Sequence, residues 1–569
     1  MISRLQRTAA ALGALACLAT APSAVAQKQP AGPGPSSMIS QHGIVNELSD
    51  APLAVIGPDA AIGLARVYSG PPINVTTFHY DNYRTGWNAS ETDLTPANVN
   101  KKTFGILANL AVDGQVYAQP LLVSNVTMPD STVRNVLILA TEHNSVYAFD
   151  AQTYAVLWQV NLGPSQSATD VACVDVKPEL GISSTPVIVA GPNPGQWTIY
   201  VVASTETPGP AFQHQLHALD LTTGLDTVPP VTIAPSGTLT GGAVLNFSKQ
   251  YQYSRAGLAY NNGHLYVGIS SHCDNTAGKI AGWLQSYDPG LNLQSTFQTT
   301  HKANKLLLGS IWMSGFAPAI DDAGNVYVST GNGAYDGVVS QDWGQSVLKL
   351  SPDLGTVLGS FTPANFASLN LKDLDLGAGG VVLLPVVDDQ TAPPMAAVIG
   401  KDPTLYLLDQ NNLGGFTPTN SGALQALTVN PGNTLGVWGG SAFYNGPNGP
   451  TLFIQIHTDY LRAFSLSTGA SPTLTLAQQN TRKGGYAGTM PVVSSNGAQP
   501  GTGVVWIVHR GVPPALEAYD ANNLGAPIYL GATGNLSKTN AGIFLTPMVA
   551  NGRVYVATSG VVSVFGLLK

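Results

Sequence analysis

Residues Ser145–Trp158 read SVYAFDAQTYAVLW. The first six alternate, stop at an aspartate, turn through polar residues and resume as a second short run. Side chains on a strand point to opposite faces with period two, so this is a strand–turn–strand unit. Its core triplet, AFD at Asp150, has seven counterparts: ALD at Asp220, SYD at Asp288, KLS at Ser351, LLD at Asp409, AFS at Ser465, AYD at Asp520 and VFG at Gly566. Successive differences of those positions are 70, 68, 63, 58, 56, 55 and 46 residues. Most triplets run into a Gly- or Asn-rich turn, as in DLTTGLD, DQNNLGG and DANNLGA. A repeat of this length made only of strands and turns is the signature of a β-propeller.

Working outward, each repeat holds four strands. The first follows a small residue and a proline, as in AQPLLV (118–123), STPVIV (184–189), APAI (317–320) and TPMV (546–549). Proline suits a strand start, where no ladder donor is yet needed. The second is β-branched, as in NVLILAT (135–141) and TIYVVAS (198–204). The third carries the triplet, and the fourth is the most variable. This gives blades at 112–165, 182–235, 255–300, 310–362, 376–428, 435–478, 486–533 and 541–569. The last lacks a fourth strand, while FGILANLAV (104–112) lacks companions. Pairing the two closes the ring and removes exposed sheet edges. The expected fold is all-β: one eight-bladed propeller over 77–569, or seven blades if 376–428 is not a true unit.

Charged residues are 10% of the chain and the net charge is -8, with no basic stripe. Nucleic acid is therefore not an expected partner. No apolar run beyond the first residues is long enough to span a bilayer, and a monomer is expected. Arg4 and Arg7, the apolar run 9–21 and Ala24-Val25-Ala26 form a secretory signal with cleavage after Ala26. A secreted or periplasmic location follows; Cys17 sits in a poor lipobox, which disfavours a lipoprotein. Residues 27–76, rich in Pro and Gly, read as a flexible leader. Only Cys173 and Cys273 remain in the mature chain. They fall on neighbouring blades at the same face, so a disulfide between them is expected in an oxidising compartment.

In a four-strand blade, the loop joining strands two and three shares a face with the loop entering strand one. These loops converge on the channel mouth, the expected ligand pocket. They gather the scarce polar groups. His272, Asp274, Asp373 and Asp375 are the candidate acid–base residues. His143, Asn332 and Lys401 are candidates for polar contacts with a cofactor, and Trp312 and Trp438 for stacking on its plane. His143, His272, His457 and His509 also raise a metal ring, and LKDLDLG (371–377) a carboxylate site for calcium. No G-x-S-x-G, H-E-x-x-H, P-loop or C-x-x-C-H motif is present, which argues against a serine hydrolase, a zincin, a nucleotide enzyme and a fused cytochrome.

The run AFDAQTYAVLW (148–158) resembles the A-x-D-x-x-T-G-x-x-x-W repeat of pyrroloquinoline quinone (PQQ) propellers, with Tyr154 at the glycine position; HALDLTTG (217–224) is a second match. DNYRTGWNASETDLTPANVNKKTFG (81–105) resembles the opening of quinoprotein dehydrogenases. DGQVYAQPLLV, ATEHNSVYAFDA, SSHCDN, GNVYVSTGNG and DLDLGAGG are similar to segments of exported bacterial proteins with PQQ-like repeats. The resemblance implies the fold and export. Its enzymatic branch implies PQQ with calcium, but that branch often has adjacent cysteines, which this chain lacks. Three readings follow: a binding or assembly scaffold taking a small molecule, glycan or protein at the mouth; a PQQ- and calcium-dependent oxidoreductase; and an enzyme acting on polysaccharide or another polymer.

Overall fold

The computed structural model describes residues 68–569 apart from 172, 174, 175, 210, 275–277, 303–305, 386–390, 512 and 537–543. The expected signal peptide, Cys17 and the leader up to residue 67 lie outside the described residues. Eight sheets, each built on four antiparallel strands, follow one another along the chain. The unit at 376–428 is a complete blade, so the ring has eight members rather than seven. Among the described residues, no helix is long and apolar enough to cross a membrane.

Burial sorts the strands within a blade. In the first blade, Ser145–Asp150 is buried at every position, whereas the outer strand Val156–Asn161 is exposed or half-buried throughout. The repeat residues make the turns and the blade contacts. Asp150 Oδ1 accepts from the amides of Gln152 and Thr153, and Asp220 Oδ1 from those of Thr222 and Thr223. The Trp158 indole donates to Leu221 O at 3.0 Å in the next blade. A Cβ on Gly224 would stand 2.6 Å from that ring, so the repeat's glycine is a packing requirement as well as a turn residue.

The eighth blade consists of Met548–Ala550, Arg553–Ala557, Ser559–Leu567 and, from the other end of the chain, Phe104–Gln115. Leu110 faces Val562 and Phe104 faces Leu567 in an antiparallel register. The ring is thus closed by strand pairing.

A second device closes the channel. The segment 75–88 bonds to the innermost part of every blade. Val75 exchanges two backbone bonds with Leu122 in the first, and Thr76 O accepts from Ile188 N in the second. Asn82 Nδ2 reaches Tyr260 O in the third. Asn82, Tyr83, Thr85 and Gly86 carbonyls accept from Ile320, Leu383, Phe443 and Val493 in the fourth to seventh. Tyr80 Oη accepts from Val549 N in the eighth. Only a segment on the ring axis can reach all eight first strands. Arg84, fully buried, anchors it: its guanidinium donates to Pro318 O, Thr77 Oγ1, Phe78 O and Asp81 O at 2.7–3.0 Å. The channel is filled at this level.

Candidate functional site

The loops entering strand one each send a side chain to one pocket at the mouth. Tyr117 comes from the first blade, Cys173 and Val176 from the second, and Tyr253 and Arg255 from the third. Trp312, then Asp373 and Asp375, then Trp438, Tyr486 and Phe544 come from the fourth to the eighth. The strand-two-to-three loops add Ser271, His272, Cys273 and Asp274 from the third blade and Lys401 from the fifth. The cavity volume is about 100 Å³, room for several waters at roughly 10–15 Å³ each.

Local backbone aims the acids. The α-helix Phe366–Lys372 ends at Asp373, whose left-handed conformation (φ 55°) turns the chain back to the mouth. Asp375 then starts the short turn Leu376–Ala378. Cys273 and Asp274, just past the strand His264–Ser271, are both left-handed (φ 52° and 46°). Such residues cost of order 1–3 kcal/mol each and persist only where surroundings enforce them. Here the enforcement includes the Cys173–Cys273 disulfide, with Cα atoms 5.8 Å apart.

The polar groups form a connected network. Lys401 Nζ stands 2.6 Å from Asp375 Oδ1 and 3.2 Å from Asp373 Oδ2. Trp312 Nε1 donates to Asp375 Oδ2 at 2.8 Å. Asn332 Nδ2 donates to Asp373 Oδ1 at 2.7 Å and to Asp274 Oδ2 at 3.2 Å, and Ser271 Oγ donates to Asp274 Oδ1. Gln345 Nε2 fixes the Asn332 carbonyl at 2.9 Å. The Lys401 ammonium also lies 5.4 Å from the Trp312 ring centre and 5.9 Å from that of Trp438.

Burial is the largest influence on each charge. It pushes the Asp274 carboxyl up to about 6, with Ser271 opposing and the neighbouring Asp375 and Asp373 adding to the rise. It raises Asp375 as well, against the pull of Lys401. Burial disfavours the Lys401 ammonium, but Asp375 and Asp373 outweigh that and hold it above the ordinary lysine value.

Two further lining groups, His272 and Tyr117, carry hydrogen-bonding atoms without a partner. His272, 2% exposed and stacked on Tyr253 with ring centres 4.2 Å apart, has no hydrogen-bond partner on either ring nitrogen; the Tyr117 hydroxyl has none either. Burial lowers His272 to about 3, so the ring is neutral at ordinary pH and offers one donor and one acceptor. Arg255 lies over Tyr117 and Phe544, 5.1 and 5.8 Å from their centroids.

Of the residues singled out by sequence, the pocket brings together His272, Asp274, Trp312, Asp373, Asp375, Lys401, Trp438 and both cysteines. Asn332 stands behind them, joining Asp274 to Asp373. His143 lies outside the lining, with a half-exposed side chain 2.8 Å from Glu179. The four histidines do not form a ring: His509 pairs with Glu517 at 3.0 Å, and His457 packs beside Trp438 and Tyr486. No group of three or more His, Cys, Asp or Glu that could hold a metal occurs among the described residues. Sequence reasoning passed over Tyr117, Tyr253 and Phe544, aromatic residues whose signal was their place just before a first strand.

No protein-family model matches the chain, and no curated protein sequence matches it. Solved structures do. The europium-containing methanol dehydrogenase is 12% identical, with a TM-score of 0.57 over 87% of this chain and 98% of that one. A quinohemoprotein alcohol dehydrogenase from Pseudomonas putida HK5 is 12% identical, with a TM-score of 0.58 over 87% of this chain and 80% of that one. The quinohemoprotein alcohol dehydrogenase from Comamonas testosteroni is 12% identical, with a TM-score of 0.54 over 90% and 82%. At this identity the likeness is one of fold: the chain is a PQQ-like eight-bladed propeller resembling the scaffold of quinoprotein alcohol dehydrogenases.

Proposed function

We propose that the mouth pocket binds a small polar molecule containing a ring. One observation carries this: all eight blades contribute to a pocket that pairs aromatic faces with buried, unpartnered hydrogen-bonding atoms, His272 Nδ1 and Nε2 and Tyr117 Oη. A buried polar group without a partner costs about 1–3 kcal/mol. A ligand carrying hydroxyl or carbonyl groups relieves that cost, while Trp438 and Tyr486 cover its ring. Asp274 accepts a proton from such a hydroxyl when ionised and returns it when neutral. Binding is tested by tryptophan fluorescence and thermal shift against sugars, sugar acids and aromatic acids. A saturable response that His272→Phe and Tyr117→Phe weaken is expected; no response across the panel would overturn the reading.

A quinoprotein-type oxidoreductase is the second reading. It is favoured by the scaffold likeness and by a disulfide and two tryptophans lining one pocket. When bound, PQQ would accept the electrons and Asp274 would take the substrate proton. The calcium of that reading does not fit the residues as they stand, because Lys401 already neutralises two of the three carboxylates. Titration with PQQ, with and without calcium, separates the readings: tight binding supports the oxidoreductase, and no binding at high micromolar PQQ leaves the first reading alone.

A further inference from the structure

We propose that Lys401 is a built-in cation that holds the place of a divalent metal, so that the mouth pocket assembles without one. This is independent of which ligand the pocket takes. The ammonium makes ion pairs of 2.6 Å and 3.2 Å with Asp375 and Asp373, and its side chain is 5% exposed. It lies over the faces of two indoles, a setting that favours a cation such as an ammonium. A calcium ion there would need six to eight oxygen ligands at about 2.3–2.6 Å. The oxygens present are already engaged: Asp375 Oδ2 by Trp312, Asp274 and Asp373 by Asn332, and the Asn332 carbonyl by Gln345. A metal could enter only by evicting the ammonium.

The arrangement is also economical in sequence. Lys401 and its two acids belong to the same blade, Lys401 in the loop after the strand Met395–Val398 and the acids in the loop before the strand Val382–Leu384. The ion pairs are therefore made within the fifth blade.

The test is calcium binding by calorimetry and melting temperature, with terbium luminescence sensitised by tryptophan as a second readout. Wild-type protein is expected to give no saturable calcium heat, no terbium emission and the same melting temperature in calcium as in chelator. Lys401→Met is expected to gain at least about tenfold in calcium affinity, into the weak range of about 10⁻⁴–10⁻³ M. Adding Asp375→Asn to that variant should abolish the gain. One calcium bound by wild-type protein with a raised melting temperature would sink the proposal, as would a folded Lys401→Met that binds no better. Lys401→Gln is made in parallel, and the wild-type measurement decides if neither variant folds.

Discussion

Asp274 ionises in a place where burial opposes its charge, and this has a calculable effect on stability. Its folded value, about 6, lies above the ordinary carboxylate value of 3.8. Between those values the folded chain holds a proton that the unfolded chain has lost, so stability falls as pH rises through the window. A displacement of that size corresponds to at most about 3 kcal/mol over its whole range. Wild-type protein should therefore lose up to about 2 kcal/mol more than Asp274→Asn between pH 4.5 and 7.5, a range that starts above 3.8, measured by denaturant unfolding. The buried histidines act in the opposite direction but are common to both proteins, so they cancel. Equal pH slopes would show that Asp274 is not held neutral. At the same scale, Tyr154 occupies the repeat's glycine position with φ 63°. A tyrosine there bears a left-handed backbone, offset by burial of its ring and a 3.3 Å contact from Arg553 Nε. The sequence motif flagged this departure, but only the fold supplies the partner.

Two elements hold the pocket in shape. The Cys173–Cys273 bridge spans 100 residues and ties the entrance of the second blade to the strand-two-to-three loop of the third. Replacing both cysteines by serine should lower unfolding stability by about 2–4 kcal/mol, measured in denaturant, and should broaden the tryptophan response to ligand. The axial segment 75–88 joins all eight blades through its bonds to their first strands. Arg84→Met strips donors from four acceptors at once, and a loss of at least about 3 kcal/mol in a single cooperative transition is expected. Separate transitions for separate probes would mean that the segment is not shared by all blades. These elements differed in legibility. The pairing of Cys173 with Cys273 followed from their places in the repeat. The acids, Lys401 and the tryptophans were readable because charge is scarce in this chain and loop positions are set by the blade register. The axial segment was visible only as a resemblance, DNYRTGWNASET, because nothing periodic marks a chain that bonds in turn to eight different partners. His143 sits in the expected loop yet is drawn sideways to Glu179, a contact that only side-chain geometry determines.

The ring as a whole depends on one strand pairing. Phe104–Gln115 and Ser559–Leu567 are joined along their length, with Leu567 facing Phe104 and Ser559 facing Gln115. Removing residues 559–569 would leave two exposed sheet edges, a template for association. Such a protein should form oligomers or aggregates on size-exclusion chromatography and lose cooperative thermal unfolding; a monomer with an unchanged transition would mean that closure is dispensable. The blade count was legible because the triplets recur, and closure because one blade lacked a strand that another segment could supply.

The axial segment sets an order of events in time. Tyr80 bonds to Val549, 469 residues away, and Ile73, just before the segment, to Asn551, 478 away. The part of the chain synthesised early therefore has no complete seat until the part synthesised late is present. Individual blades can form locally, but contacts of this span are slow to find. Until they are found, the plug has no seat and the closing strand no partner, so a partly made chain is an open arc of blades with neither a sealed channel nor a finished site.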